Sequence, residues 1–447
     1  MQDVKPPEID EDGNALLSVD EAIAMARELV RKKQLKAAAG LLENVIEIAP
    51  DNADALSCLG VVRFHLHGAE SSVETLKRAA KVAPRHAGIR NNLGNAYVEL
   101  GDIDAAVNAY DKAIELDPDL ADPYCNLASI VKHAGNVGFA EKLLRKAVEV
   151  NPEFGVAHQN LAAILLDSGR AREAIDHFWK AIVHWPDKAV PAHFLALAYW
   201  FAGLKDVAID FVKKWADANP HDPQAQHMRA SMTGENVPER APDVYVSKLF
   251  DTFAGSFDAK LESLDYRAPE IVGAAVRDAV GADASGLAVL DAGCGTGKCA
   301  KHLKPHAGRL DGVDLSEGML AKAAKLGAYD RLDRAELTAC LRARPDGYDV
   351  IASADTLCYF GRLEEFAEGA AKALRPGGVL VFTVEAMDDA DGSFRLAVNG
   401  RYTHCEAYVR RCLAAAGFSV SSCGREALRS ENAEPVIGLV VTARKAA

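Results

Sequence analysis

The nine cysteines of this 447-residue chain stand apart between Cys58 and Cys423, with no C-x-x-C pair and no cluster at metal-ligand spacing. That absence excludes a disulfide framework or a zinc site as an expectation and leaves small buried thiols in a reduced compartment. Long apolar runs are missing too: the longest, such as Pro435 to Val441, fall far short of the roughly 20 residues of a membrane span. Basic residues are in the minority, 51 Lys plus Arg against 64 Asp plus Glu, for a formal charge of −13, and no basic block is long enough to stripe a helix. Neither nucleic acid nor membrane is therefore an expected partner. Met1 to Gly13 is acidic, contains two prolines, and lacks the basic start and apolar core of a signal peptide, so a cytoplasmic location is expected. What is present, 49% hydrophobic and 26% charged residues, suits about two or three folded domains.

The first half is periodic. Pro50, Pro84, Pro118, Pro152, Pro186 and Pro220 are each 34 residues apart without insertion or deletion, and each proline punctuates a helix boundary. At a fixed phase stand Ala38, Ser72, Ala106, Ala140, Ala174 and Ala208, and at another Met25, Leu59, Leu93, Leu127, Leu161 and Leu195. A small position and a large apolar one are what two antiparallel helices need for close packing, so each unit reads as a helix hairpin. Within the units, Glu99-Leu100-Gly101-Asp102 and Asp167-Ser168-Gly169-Arg170 supply a glycine able to take the left-handed conformation between the two helices. This stretch resembles the tetratricopeptide repeat. The resemblance implies an α solenoid over residues 18–233, six repeats with the first degenerate at Ala22 and Ala26, and a capping helix from Pro223 to Thr233, behind an acidic tail at 1–17.

Asn92, Asn126 and Asn160 recur at one phase of three consecutive repeats, with Asn95 one turn beyond the first. In a superhelix of this kind that phase faces the concave side, where amides suit the backbone of an extended protein or peptide partner. The other reading is that they hydrate the groove or bond to the neighbouring repeat. His158 and His193 lack nearby acids or thiols at ligand spacing and read as solvated or structural; no metal is expected.

A polar stretch, 234–244, follows as a linker, and then short β-branched runs alternate with alanine-rich helical segments, the pattern of a parallel sheet flanked by helices. The expected strands are Leu287–Ala292, Arg309–Asp314, Tyr348–Ser353, Val379–Glu385, Phe418–Ser422 and Val436–Thr442; the expected helices are Lys298–His306, Glu317–Leu326, Leu363–Leu374 and His404–Ala416. The first strand runs into Asp291-Ala292-Gly293-Cys294-Gly295-Thr296-Gly297-Lys298. Its glycines let a ligand lie against backbone, and Lys298 stands where a dinucleotide fingerprint demands glycine. The second strand ends at Asp314, whose carboxylate can accept from both hydroxyls of a ribose. Together they describe a nucleoside with an amino-acid tail.

Residues 245–447 resemble the class I S-adenosylmethionine-dependent methyltransferases, on the 291–297 loop, on Gly312-Val313-Asp314-Leu315-Ser316 with Met319, and on Leu374-Arg375-Pro376-Gly377-Gly378. The resemblance implies a Rossmann-like seven-stranded α/β sheet with an antiparallel last strand, and S-adenosyl-L-methionine as cofactor. Asp291, Gly293, Cys294, Gly295 and Gly297 would hold its methionine part, Asp314 its ribose, and Leu315 or Met319 with Glu336 and Leu337 its adenine. Phe250, Phe253 and Phe257 share one helical stripe that in relatives lies over the cofactor as a lid, the favoured reading over a stripe that is simply core. After the strand ending at Ser353, Asp355 and Tyr359 should line the site. Arg401, Tyr402, His404 and Tyr408 bunch a cation, phenols and an imidazole suited to an anionic or polar acceptor, with His404 the candidate base and Tyr359 its catalytic companion. The repeats and the methyltransferase in tandem look like a group of predicted bacterial methyltransferases, a resemblance that gives no acceptor. The first functional expectation is a methyltransferase whose repeats recruit a protein or peptide, as acceptor or as carrier. The others are a small-molecule methyltransferase with repeats for assembly only, and a non-catalytic scaffold with a vestigial site.

Overall fold

The structure, a computed structural model, describes residues 8–9, 15–185, 190–255, 257–258, 261, 264–388, 392–431 and 434–446, with side chains at all of these but 8, 9, 15, 16 and 253. Pro186 and most of the acidic tail lie outside the described residues. Of that tail, β1 (Glu8–Ile9) pairs antiparallel with β2 (Ala15–Leu16).

Helices then follow in succession: α1 (Val19–Arg31), α2 (Leu35–Ile48), α3 (Ala53–His67), α4 (Ala69–Val82), α5 (Ala87–Leu100), α6 (Ile103–Leu116), α7 (Ala121–His133), α8 (Val137–Val150), α9 (Gly155–Asp167), α10 (Ala171–His184), α11 (Ala192–Phe201), α12 (Lys205–Ala218) and α13 (Pro223–Thr233). A capping box of Ser18 with Glu21 opens the array. Between paired helices Gly101, Gly135, Gly169 and Gly203 take φ of 76°, 83°, 76° and 82°, one period apart. The small phase is buried throughout the described repeats, and so is the leucine phase from Leu59 to Leu195. Met25 departs from it: the residue is half exposed, while Ala22 and Ala26 fill the core of the degenerate first repeat.

Strands β3 (Leu287–Ala292), β4 (Ala307–Asp314), β5 (Arg331–Arg334), β6 (Tyr348–Ser353), β7 (Leu374–Ala386), β8 (Phe394–Leu396), β9 (Tyr402–His404), β10 (Phe418–Glu431) and β11 (Glu434–Lys445) form one sheet. The main path runs β10-β11-β7-β6-β3-β4-β5, parallel from β7 through β5, with β11 antiparallel to both neighbours. That is the expected α/β sheet with its antiparallel last strand. Three strands were not expected. β5 is short and polar, and β8 with β9 forms a small hairpin whose second strand extends β7 in parallel, at Glu385↔Thr403 and Ala386↔His404. The expected helix Lys298–His306 shrinks to Ala300–Leu303, and the helix expected from His404 begins at Glu406. Because β3, β4, β6 and β7 are parallel, their carboxyl ends open on one edge, where ligands of such sheets bind.

The chain divides into two compact units, Met1–Leu161 with Trp179–Lys188, and Ala162–Phe178 with Ala189–Ala447. The division falls inside the array rather than at 234–244, because that polar stretch is bonded into the second unit. Ala241 N donates to Tyr359 O at 2.8 Å, Gly361 N and Arg362 N donate to Glu239 O at 2.9 and 2.8 Å, and Tyr402 Oη donates to Pro238 O at 2.8 Å.

Candidate active site

The loop after β3 turns with positive φ at Gly293, Gly295 and Gly297 (77°, 53° and 90°). A Cβ on Gly293 would lie 2.2 Å from Thr356 Oγ1, and one on Gly297 would lie 2.6 Å from Leu326 and 3.1 Å from Tyr329; at Gly295 nothing lies within 4 Å. Two glycines therefore let the loop pack onto its own protein, and the third leaves bare backbone facing open space. Gly295 N donates to Asp314 Oδ2 and Ser316 N to Asp314 Oδ1, both at 2.9 Å. Burial pushes the Asp314 carboxyl up, against these backbone donors. Each oxygen keeps a lone pair for a further donor. Asp291, buried behind the loop, accepts from Tyr329 Oη at 2.6 Å, and burial pushes its carboxyl up to about 7. The Cys294 thiol is buried, and burial pushes it well up, so this residue offers the loop only its backbone.

Around the expected adenine position the structure redistributes roles. Met319 belongs to the core, and its N–H donates to the cap residue Ser316 at 3.1 Å. Leu315 is half-buried with Phe250 and Tyr359. The Glu336 side chain caps the helix Leu337–Arg342, accepting from Thr338 N and Ala339 N at 2.8 Å each, and pairs with Arg240. Burial opposes its ionisation, but the Thr338 and Ala339 donors and Arg240 hold it below the usual range. Glu336 is thus engaged by protein, and Leu337 lies in the core. Arg240, whose guanidinium also sits 5.5 Å from the Phe360 ring centroid, was unmarked in the sequence because its polar surroundings read as linker.

Asp355, at φ +55°, is held by Arg429 Nη1 at 2.6 and 2.5 Å. Arg429, 4% exposed, also pairs with Glu385 and, at 2.7 Å, with Glu431. Arg401 Nε lies 2.7 Å from Glu385, off-axis for a hydrogen bond, while its Nη2 donates to Glu431 at 2.5 Å. Burial opposes the Glu431 charge, yet the two guanidiniums hold its carboxyl below the usual range. Two cations and three carboxylates thus form a network beside the open edge, and it occupies the Asp355 side chain that was expected to face the cofactor. The network was hidden because Arg429 lies in the second half of β10, beyond the expected end at Ser422, where charged residues break the apolar alternation.

Three of the remaining acceptor residues gather in the core and not in the charged network: the ring of Phe394 lies 5.8, 6.3 and 6.2 Å from those of Tyr402, His404 and Tyr408. His404 ends β9 fully buried, with Nε2 bonded to Gly361 O at 3.0 Å, and burial pushes its pKa down to about 4. It is a core residue, not a base at a helix start. Tyr402 is fully buried with its hydroxyl on Pro238, and Tyr408 donates to Glu364 at 2.8 Å while accepting from Leu363 N at 3.0 Å. Of the four only Arg401 reaches the charged network. Tyr359 is half-buried, its ring 5.5 Å from Phe250 at 82°, and burial pushes its phenol well up, which keeps it protonated.

The aromatic segment lies in α14 (Asp243–Phe253) and just beyond it. Phe250 meets Phe257 edge-on at 5.8 Å; the Phe253 side chain lies outside the described residues. Carboxylates that the aromatic stripe overshadowed fasten this segment. Asp251 accepts from Ser316 Oγ at 2.5 Å and Gly318 N at 3.1 Å, and these donors, the serine first, hold it below the usual range. Asp258 accepts from Thr296 Oγ1 at 2.7 Å and lies 3.2 Å from Lys298 Nζ. The segment is thereby clipped across the glycine loop and the Asp314 corner.

In the array, the repeated amides bond to the preceding repeat. Asn126 Nδ2 donates to Asn91 and Asn95 at 3.0 Å each, Asn92 Nδ2 to Ser57 Oγ at 3.4 Å, and Asn160 Nδ2 to Cys125 Sγ at 3.5 Å. His158 bonds to Pro152 O at 2.8 Å and His193 to Gln224 at 3.0 Å, both structural placements. Among the described residues no helix is long and apolar enough to cross a membrane.

A family model described as a methyltransferase domain matches residues 290–380, and one described as a TPR repeat matches residues 94–135. The chain carries a methyltransferase domain and tetratricopeptide repeats. The methyltransferase domain is similar to the malonyl-[acyl-carrier protein] O-methyltransferase of Enterobacter lignolyticus (strain SCF1), 34% identical over 100 residues, 22% of this chain and 39% of that protein. It is also similar to the human methyltransferase-like protein 27, 30% identical over 149 residues, 33% of this chain and 59% of that protein. The chain thus spans about two fifths to three fifths of the length of these curated relatives. Among solved structures, an S-adenosylmethionine-dependent methyltransferase from Mesorhizobium loti aligns at 25% identity and a TM-score of 0.32, over 39% of this chain and all of that one.

Proposed function

We propose that the chain is an S-adenosylmethionine-dependent methyltransferase whose repeats recruit a protein or peptide, either the acceptor itself or a carrier presenting it. One observation carries the cofactor reading: bare backbone at Gly295, open to solvent space, is hydrogen-bonded at 2.9 Å to a carboxylate ending the neighbouring strand. Asp314 has lone pairs left for ribose hydroxyls, and the backbone of 293–297 suits an amino-acid tail. When bound, the cofactor supplies a methyl group on a sulfonium. The chain's own part is alignment and exclusion of water, which α14 and the residues just beyond it serve through Phe250, Phe257 and the carboxylate clips Asp251 and Asp258. With His404 in the core, the polar character of the acceptor side comes from the network around Arg429. Recruitment is supported by the repeats and by the bacterial relative's name, which places that protein's acceptor on an acyl-carrier protein.

The test is calorimetric titration of the full chain with S-adenosylmethionine and its demethylated product, with Asp314→Ala as control. Micromolar binding that the substitution abolishes is the expected result. Absence of binding by the unmodified chain would remove the enzyme reading and leave a scaffold.

A further inference from the structure

A cation-lined groove lies in the array, on the side of α5 away from the asparagine row. At 100° per residue, Arg90, Leu93 and Tyr97 form one stripe of α5, roughly opposite Asn92 and Asn95. Together with Lys77 and Lys81 of α4 and Lys112 of α6, this stripe lines a cavity of about 670 Å³. Four cations line it and no carboxylate does, in a chain whose formal charge is −13. Among the described residues no acid pairs with Lys77, Lys81 or Arg90; Lys112 alone has a partner, Glu115 at 2.7 Å, outside the lining. Arg90 Nε is buried without a hydrogen-bond partner, and Lys77 Nζ sits 5.7 Å from the Tyr97 ring centroid. The three lysines are exposed at the rim, while Leu93 and Tyr97 give the floor an apolar character.

Four like charges gathered with a single counter-charge, Glu115, repel one another, and a buried guanidinium nitrogen left unbonded carries a desolvation cost. Packing explains Leu93 and the Tyr97 ring engages Lys77, but neither accounts for Lys81, Arg90 or Lys112. A ligand with several carboxylates and an apolar side chain between them relieves both costs. We propose that this groove docks an acidic peptide segment of a protein partner, its carboxylates over Lys77, Lys81, Arg90 and Lys112 and an apolar residue against Leu93 and Tyr97. The groove shares no residue with the glycine loop or with the asparagine row, so docking needs no cofactor.

The test uses the full chain without cofactor and two fluorescent twelve-residue peptides, one alternating glutamate with leucine and one alternating glutamine with leucine, followed by anisotropy. The glutamate peptide is expected to bind and the glutamine peptide to fail. Raising ionic strength from about 0.1 M to about 1 M, which shortens the screening length from about 10 to about 3 Å, should weaken binding at least tenfold. Lys81→Glu with Lys112→Glu, both at exposed positions, should do the same at low salt, with an unchanged circular-dichroism spectrum showing that the variant is folded. Equal binding of the two peptides, or unchanged affinity in the double variant, overturns the proposal. So does loss of binding in Asn92→Ala with Asn126→Ala but not in the lysine pair, which moves the peptide to the opposite face. Inorganic phosphate binding as tightly as the peptide would make this a small-anion site and overturn it equally.

Discussion

Gly295 and Gly297 have the same backbone sign but different neighbours, and substitution should separate them. Alanine at 297 meets Leu326 and Tyr329 and is strained at φ +90°, so Gly297→Ala should lower stability by about 2–4 kcal/mol. Alanine at 295 is strained by φ alone and fills the open space instead, so Gly295→Ala should cost about 1–2 kcal/mol in a thermal melt and remove measurable cofactor affinity by calorimetry. The histidines set a pH dependence. His404 and His193 have folded pKa values near 4, below the ordinary 6.5, so their contribution to stability is complete above about 6.5 and lost as pH falls through about 4. Asp291, raised to about 7, works the other way: its contribution is complete below about 4 and lost as pH rises through 7. His404→Gln should therefore flatten the fall of Tm between pH 6.5 and 4 and lower stability at neutral pH by roughly 1–3 kcal/mol. The pH profile of methyl transfer should stay where it was; a shifted profile would restore the imidazole as a base. At this scale the glycine loop and Asp314 were legible because their roles are local to a strand end. Arg429, Arg240 and Tyr329 were not, since their partners lie 74, 96 and 38 residues away.

Periodicity made the paired helices readable, and short apolar runs made β3 and β6 readable to the residue. The misses among elements share a cause: β5 buries no residue fully and the far half of β10 buries only Leu428 and Arg429, so no hydropathy pattern marks them. Likewise β9 took residues that resemble a helix start, because pairing with β7 outweighed local preference. Among the elements α14 has the most specific prediction attached. If it is a lid, its clips should govern how long the cofactor stays. Asp251→Asn and Asp258→Asn each weaken a partly exposed charged hydrogen bond, worth roughly 1 kcal/mol, and should speed cofactor release roughly fivefold in stopped-flow displacement. The melting temperature should barely move. Unchanged release with a lowered melting temperature would make the segment core.

The whole molecule is less modular than its sequence reads. α13 is the expected cap of the array, yet His227 on it bonds Gly400 O at 2.8 Å and packs 5.0 Å from Tyr245, and Ser231 reaches Val398 O at 3.5 Å. All of these lie within the second compact unit. A truncated chain starting at Val244 should therefore melt roughly 5–10 °C below one starting at Val190, a loss of a few kcal/mol at about 2–4 °C each. A test of whether the repeats matter for turnover belongs on the longer version, because the shorter one would confuse lost recruitment with lost stability. The same helix constrains inheritance. If arrays have been exchanged between enzymes of this build, a crossover in the polar stretch after Thr233 would hand the recipient a foreign wall for its Gly400 turn. Viable crossovers should cluster upstream of α11, so that lineages swap the early repeats and keep the last ones with the catalytic half.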